Sequence, residues 1–227
     1  MHYLIAIIVI LLIIYLPQLW VRQVLNRYNQ QSEPDFPGSG SELARHLLDR
    51  FELRDVKVES TELGDHYDPE ARAVRLNRDK FDGKTLTSIT VATHECGHAL
   101  QHAAGERLFL LRSRLAIIAV WAGRLGSLLL FAAPFLALLT RAPSAAMINL
   151  LAAFLILGFG LLVQFITLPV ELDASFNKAL PILQSGYLKP HQVPAAKRIL
   201  RAAAWTYVAA SLMSLLNIAR WWAILRR

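Results

Sequence analysis

Cysteine is nearly missing from this chain. Of 227 residues only Cys96 is a cysteine, which excludes an internal disulfide and fits a reducing compartment. Charge is missing from Met1 to Val21. That stretch also lacks the basic start and small-residue cleavage site of a secretory leader, so an uncleaved membrane anchor is expected. Internal repeats and low-complexity tracts are absent, and basic residues are not interleaved with aromatics. The net charge of +7 is therefore assigned to basic flanks at a cytoplasmic membrane face, with no nucleic-acid partner.

What is present is apolar. Hydrophobic residues make up 55% of the chain, and its mean hydropathy is +0.38. That is too apolar for an ordinary soluble domain of this length and indicates a membrane protein whose partner is the lipid bilayer. Leu4 to Leu16 is almost purely Ile, Leu and Val. Arg22 and Arg27 follow the first span, so the positive-inside rule puts the N-terminus outside and the next segment in the cytoplasm. A polar linker with Pro34, Pro37, Gly38 and Gly40 comes next. A helix then starts with Ser41 as N-cap and carries Leu43, Leu47, Leu48 and Phe51 on one face. Val56 and Val58 alternate with charge as in a strand, Gly64 to Pro69 reads as turn, and Ala73, Val74 and Leu76 suggest a second strand. Apolar sequence resumes at Leu108. Arg112, Arg114 and Arg124 punctuate its beginning and are read as snorkelling arginines at the headgroups. A turn at Arg141 to Ser144 and a second span, Ala145 to Val170, complete a helical hairpin.

The expected architecture is a predominantly α membrane protein with three to four membrane helices and a small cytoplasmic α+β unit. Its divisions are an anchor at 1–21, the α+β unit at 22–112, the hairpin at 113–170, a cytoplasmic helical segment at 171–201, and an apolar segment with a basic tail at 202–227. That last segment is either re-entrant or spanning. The expected location is the inner (plasma) membrane, multi-pass, with the functional site on the cytoplasmic side.

One stretch carries chemistry: Thr93-His94-Glu95-Cys96-Gly97-His98-Ala99, an H-E-x-x-H motif. Random placement of 7 His and 9 Glu in this length gives roughly 0.01 expected matches. On a helix capped by Thr85, His94 and His98 share one face, roughly 6 Å apart along the axis, and can bind one Zn²⁺. Glu95 is placed to act as general base on the attacking water. Cys96 projects off the histidine face and is read as a small buried hydrophobe.

A catalytic zinc needs a third protein ligand. His102 continues the i, i+4, i+8 series, but eight residues of helix rise roughly 12 Å, too far to share one ion. The longer three-histidine pattern would need a glycine at Gln101 and a histidine at Ala104. Glu171 is the better candidate: the hairpin returns it to the side and vicinity of the motif. Asp173 is a candidate to orient a ligand histidine through its second ring nitrogen.

Taken together, Asp65-His66-Tyr67-Asp68-Pro69 with Val74-Arg75-Leu76-Asn77, Val91 to Ala99 with Gln101, Leu168 to Ser175 and Ala203 to Ala210 resemble the YugP-like bacterial membrane zinc metallopeptidases. More distantly, the layout is similar to HtpX-type membrane proteases, which carry an acid where Ser175 stands here. The resemblance implies zinc-dependent peptide hydrolysis, with His94, His98 and Glu171 as ligands, Glu95 activating water, and a protein or peptide as substrate. Asp173, Ser175 and Tyr67 are the candidates for supporting roles, Tyr67 as an oxyanion donor. The strand at Val74 to Asn77 is expected to bind substrate by β-augmentation. The rival reading is a catalytically inactive membrane scaffold that retains a metal site.

Overall fold

The computed structural model describes residues 2–30, 36–141 and 143–205. Helix α1 (His2–Asn29) leads into α2 (Gly40–Arg50), then β1 (Lys57–Thr61), β2 (His66–Asp68) and β3 (Ala73–Asn77). The short α3 (Arg78–Phe81) and the motif helix α4 (Leu86–Ala103) follow, then the long α5 (Arg107–Thr140) and α6 (Pro143–Leu172). Beyond α6 the chain continues as π-helix over Asp173–Ala179, and the described part closes with helix at 193–205. Most of the apolar segment at 202–227, and with it the choice between a re-entrant and a spanning end, lies outside the described residues.

Local signals account for the element starts. Thr85 caps α4, its hydroxyl accepting from the Ser88 amide at 3.0 Å. The cap of α2 is Ser39 rather than Ser41. Ser39 Oγ accepts from the Glu42 amide, and Glu42 Oε2 accepts from the Ser39 amide at 2.7 Å. The pattern S-x-x-E places the capping box two residues earlier than the apolar periodicity alone suggests.

The sheet differs from expectation in two ways. A third strand, β2, occupies three residues of the region expected to be turn, too short to produce a period-2 signal. The strand order is β1-β3-β2, with β1 parallel and β2 antiparallel to β3. The expected substrate strand, Val74 to Asn77, is therefore central. Both of its edges are already hydrogen-bonded, and it has no ladder left to offer a substrate. Val74 and Leu76 face the core. Arg75 on the opposite face pairs with Glu59 on β1 and Asp68 on β2.

Helix α4 is the centre of the packing. It is buried continuously from Leu86 to Ala99, so it is covered by other elements on every side. On one side α2 contributes Ala44, Leu47 and Leu48 to the shared core. The inner end of α1 docks at the start of α4, where Thr87 Oγ1 donates to the Leu25 carbonyl and Thr85 Oγ1 to Asn29 Oδ1. Phe109 from α5 and Val170 from α6 complete the core.

Among the described residues, two stretches are long and apolar enough to cross a bilayer, Arg107–Leu136 and Met147–Tyr187. They form the hairpin of α5 and α6. Its outer surface exposes Leu128, Phe131, Phe135, Leu155 and Phe165, a cover suited to lipid. Arg141 ends α5 in the left-handed region, φ 50°, and turns the chain back. The hairpin thus delivers the end of α6 to the flank of α4.

Candidate metal centre

His94 and His98 lie one turn apart on α4 with ring centroids 4.8 Å apart. Glu171, at the last turn of α6, brings Oε2 to 3.2 Å from His94 Nε2 and 3.3 Å from His98 Nε2. All three are buried, at 4%, 3% and 0% relative exposure, and their ligand atoms lie within 4.8 Å of one another. The approach depends on Gly97. A Cβ there would lie 2.9 Å from the Ala174 carbonyl oxygen, so only glycine lets the Asp173–Ala179 stretch sit this close to α4.

The second ring nitrogens are held as well. His98 Nδ1 is 2.8 Å from Gln101 Oε1. The Gln101 amide nitrogen donates to the Val170 carbonyl at 2.9 Å and to Asp173 Oδ2 at 2.8 Å. Two acceptors on the amide nitrogen fix the amide orientation, so its oxygen must accept from His98 Nδ1–H. Nε2 of His98 is left facing Glu171 Oε2. His94 Nδ1 is 3.2 Å from Ser175 Oγ. Two imidazole nitrogens and a carboxylate oxygen, all buried and converging on one point, form a ligand set for a cation. For bonds of about 2.0–2.1 Å the edge of a tetrahedron is about 3.3 Å, which matches the two histidine–carboxylate separations. The donor set and its spacing fit zinc.

The comparisons agree. A family model described as "Putative neutral zinc metallopeptidase" matches residues 3–226. The chain belongs to that family. It is also similar to a Bacillus subtilis (strain 168) protein described as "Putative membrane protease YugP", 37% identical over 185 residues that cover 80% of this chain and 78% of that protein. No solved structure matches the chain. By family this is a zinc metallopeptidase, and zinc is its metal. The membrane-protease relative and the two apolar helices make it a membrane protein.

Within this metallopeptidase the remaining predicted residues fall in distinct places. Glu95 is buried next to the two histidines, and burial pushes its carboxyl up to about 7 against the pull of His94. Asp173 does not reach a histidine. It holds Gln101 instead, and is itself held by Lys178 and Asn177. Lys178 also pairs with Glu106 at the head of α5, 2.7 Å away. Ser175 does touch a ligand histidine, His94. Tyr67 sits on β2 with its hydroxyl 2.8 Å from His102 Nδ1, and burial raises its pKa. His102 is thus occupied with Tyr67, away from the ligand cluster, and burial lowers its pKa. His66 Nδ1, at the start of β2, meets the Gly64 carbonyl of the preceding turn at 2.7 Å. Cys96 is buried with its sulfur toward the Ala44 carbonyl of α2, and burial raises its thiol pKa.

Two residues of the site were not assigned to it from the sequence. Gln101 follows His98 by three residues, a helical spacing that puts both on one face, so its role was legible in principle. Arg112, expected at the headgroups as a snorkelling arginine, instead brings its guanidinium to 3.3 Å from Glu171 Oε1. No local pattern announces that contact, because it crosses from α5 to α6.

Proposed function

We propose that this protein is an endopeptidase that cleaves membrane or membrane-near proteins at the cytoplasmic face of the inner membrane. His94, His98 and Glu171 hold the zinc, and Glu95 is the general base. The observation that carries this reading is the convergence of two histidine Nε2 atoms on one Glu171 oxygen, with a buried carboxylate, Glu95, on the same helix. Bound zinc would supply Lewis-acid polarisation of the scissile carbonyl and acidify a water. Glu95 accepts the proton as that water attacks, and delivers it to the leaving amine. Gln101 and Ser175 keep the two imidazoles turned toward the carboxylate.

The substrate chain adds at the outer edge of β2. That strand is the sheet edge beside the C-terminal half of α4. Tyr67 on it contacts Phe109, which in turn lies against the His98 ring. Orientation follows from charge. Arg22 and Arg27 lie in the last turns of α1, whose end docks on α4, and Arg107, Arg112 and Arg114 in the first turns of α5, where Arg112 reaches Glu171, whereas Arg141 marks the far end of the hairpin. With α1 as a further span, the α+β unit from 22 to 112 and the segment from 171 to 201 lie on the cytoplasmic side.

A retained structural zinc is the competing reading. Closed structural sites have four protein ligands, and the cluster among the described residues has three, which favours an open position for water. The test uses wild type, Glu95→Gln and Glu171→Ala purified in detergent. Zinc content and cleavage of an unfolded protein are measured for each. Equal zinc in wild type and Glu95→Gln, with cleavage by wild type alone, supports the proposal. Equal cleavage by both removes Glu95 as base. Unchanged zinc affinity in Glu171→Ala removes the third ligand.

A further inference from the structure

Glu171 uses its two oxygens differently. Oε2 faces both histidines. Oε1 is turned the other way, toward Arg112 NH2 at 3.3 Å, and among the described residues it has no hydrogen-bond partner of regular geometry. Glu171 is fully buried and the Arg112 side chain is only 22% exposed. The guanidinium supplies a counter-charge to this buried carboxylate, for which an uncompensated charge would be expensive.

We infer that Arg112 is a positioning residue that holds Glu171 as a one-oxygen ligand; this rests on His94, His98 and Glu171 being the ligand set. A free carboxylate beside zinc can bind through one oxygen or two. With the water still bound, the second oxygen would expand the four-coordinate site to five and crowd the position from which that water attacks. A cation fixed on Oε1 keeps that oxygen off the metal. The planar fork of arginine suits the task better than the point charge of lysine. The geometry also ties the site to the membrane hairpin: Arg112 stands on the second turn of α5 and Glu171 on the last turn of α6, so the pair spans the inner ends of the two helices.

The test is the visible spectrum of the full-length protein with Co²⁺ in place of zinc, in detergent, for wild type, Arg112→Gln and Arg112→Lys. Four-coordinate cobalt absorbs much more strongly than five-coordinate cobalt, so the spectrum reads ligation without reading activity. Arg112→Gln is expected to lower the absorbance per bound cobalt by about twofold or more as coordination expands from four to five. Arg112→Lys is expected to fall between the two. A cobalt spectrum of Arg112→Gln superimposable on wild type overturns the inference. If Arg112→Gln does not elute as a monodisperse species, Arg112→Lys decides: lower absorbance with one cobalt still bound supports the inference, and a wild-type spectrum overturns it. Failure of the underlying ligand assignment looks different, since wild type and Glu171→Ala would then bind cobalt identically.

Discussion

Replacing Gly97 by alanine tests the contact that assembles the site. The new Cβ would lie 2.9 Å from the Ala174 carbonyl oxygen and 3.5 Å from its carbonyl carbon and Cα. The obstacle is backbone, so no side-chain rotation relieves it. Restoring an ordinary contact requires the Asp173–Ala179 stretch to retreat by about 0.5 Å, whereas metal–ligand distances tolerate about 0.2 Å. Glu171 and Ser175 move with that stretch. Overpacking of this kind costs about 1–3 kcal/mol, and alanine returns about 1 kcal/mol of helix propensity relative to glycine. Thermal stability of the metal-free protein should therefore change little or fall modestly. Zinc affinity should fall about tenfold or more, the equivalent of at least about 1.4 kcal/mol. The assay is zinc competition against a chromogenic chelator, with Gly123→Ala as control, since a Cβ at Gly123 meets nothing within 4 Å. If Gly97→Ala raises stability and leaves zinc affinity unchanged, the close approach of Ala174 is not what Gly97 is for.

Gln101→Leu keeps the side chain's size but leaves His98 Nδ1–H without its acceptor, and should weaken zinc binding about 10- to 100-fold in the same competition assay; an unchanged affinity would remove Gln101 from the site. A pH prediction follows from Glu95, whose carboxyl is raised from 4.5 to about 7 by burial. Folding disfavours its ionised form, so in the chelator-treated protein stability is unaffected by this group below about pH 4.5 and falls as pH rises toward 7. The full loss, on the order of 3 kcal/mol, is present above that. Metal-free Glu95→Gln should therefore melt higher than metal-free wild type at pH 8, with the gap shrinking toward pH 5. Parallel melting curves across that range would contradict it.

Much of this molecule is governed by short-range rules and was legible in its residues. His94 and His98 share a face because a helix repeats every 3.6 residues. The hairpin follows from the lengths of two apolar runs, and the start of α4 from one threonine. Where competing local signals lie close together, they mislead: apolar periodicity favours Ser41 as the cap that Ser39 provides, and β2 hides in a turn-rich stretch because three residues are too few to show alternation.

Tertiary structure decided the rest. Nothing local tells a strand that it will be central, so only the pairing of β1 and β2 on either side of β3 showed that Val74 to Asn77 has no free edge. The meeting of His94 with Glu171, 77 residues apart, depends on how the hairpin packs back against α4, and on the single missing Cβ at Gly97. Gln101, rather than Asp173, meets a ligand histidine, because its hydrogen bonds to the Val170 carbonyl and to Asp173 itself fix its amide. Arg112 reaches Glu171 only because α5 and α6 are neighbours. The sequence determined which groups could bind a metal, through periodicity and residue chemistry. Which oxygen, which ring nitrogen and which counter-charge face one another is settled by rigid-body packing between elements distant in the chain, which no local period encodes.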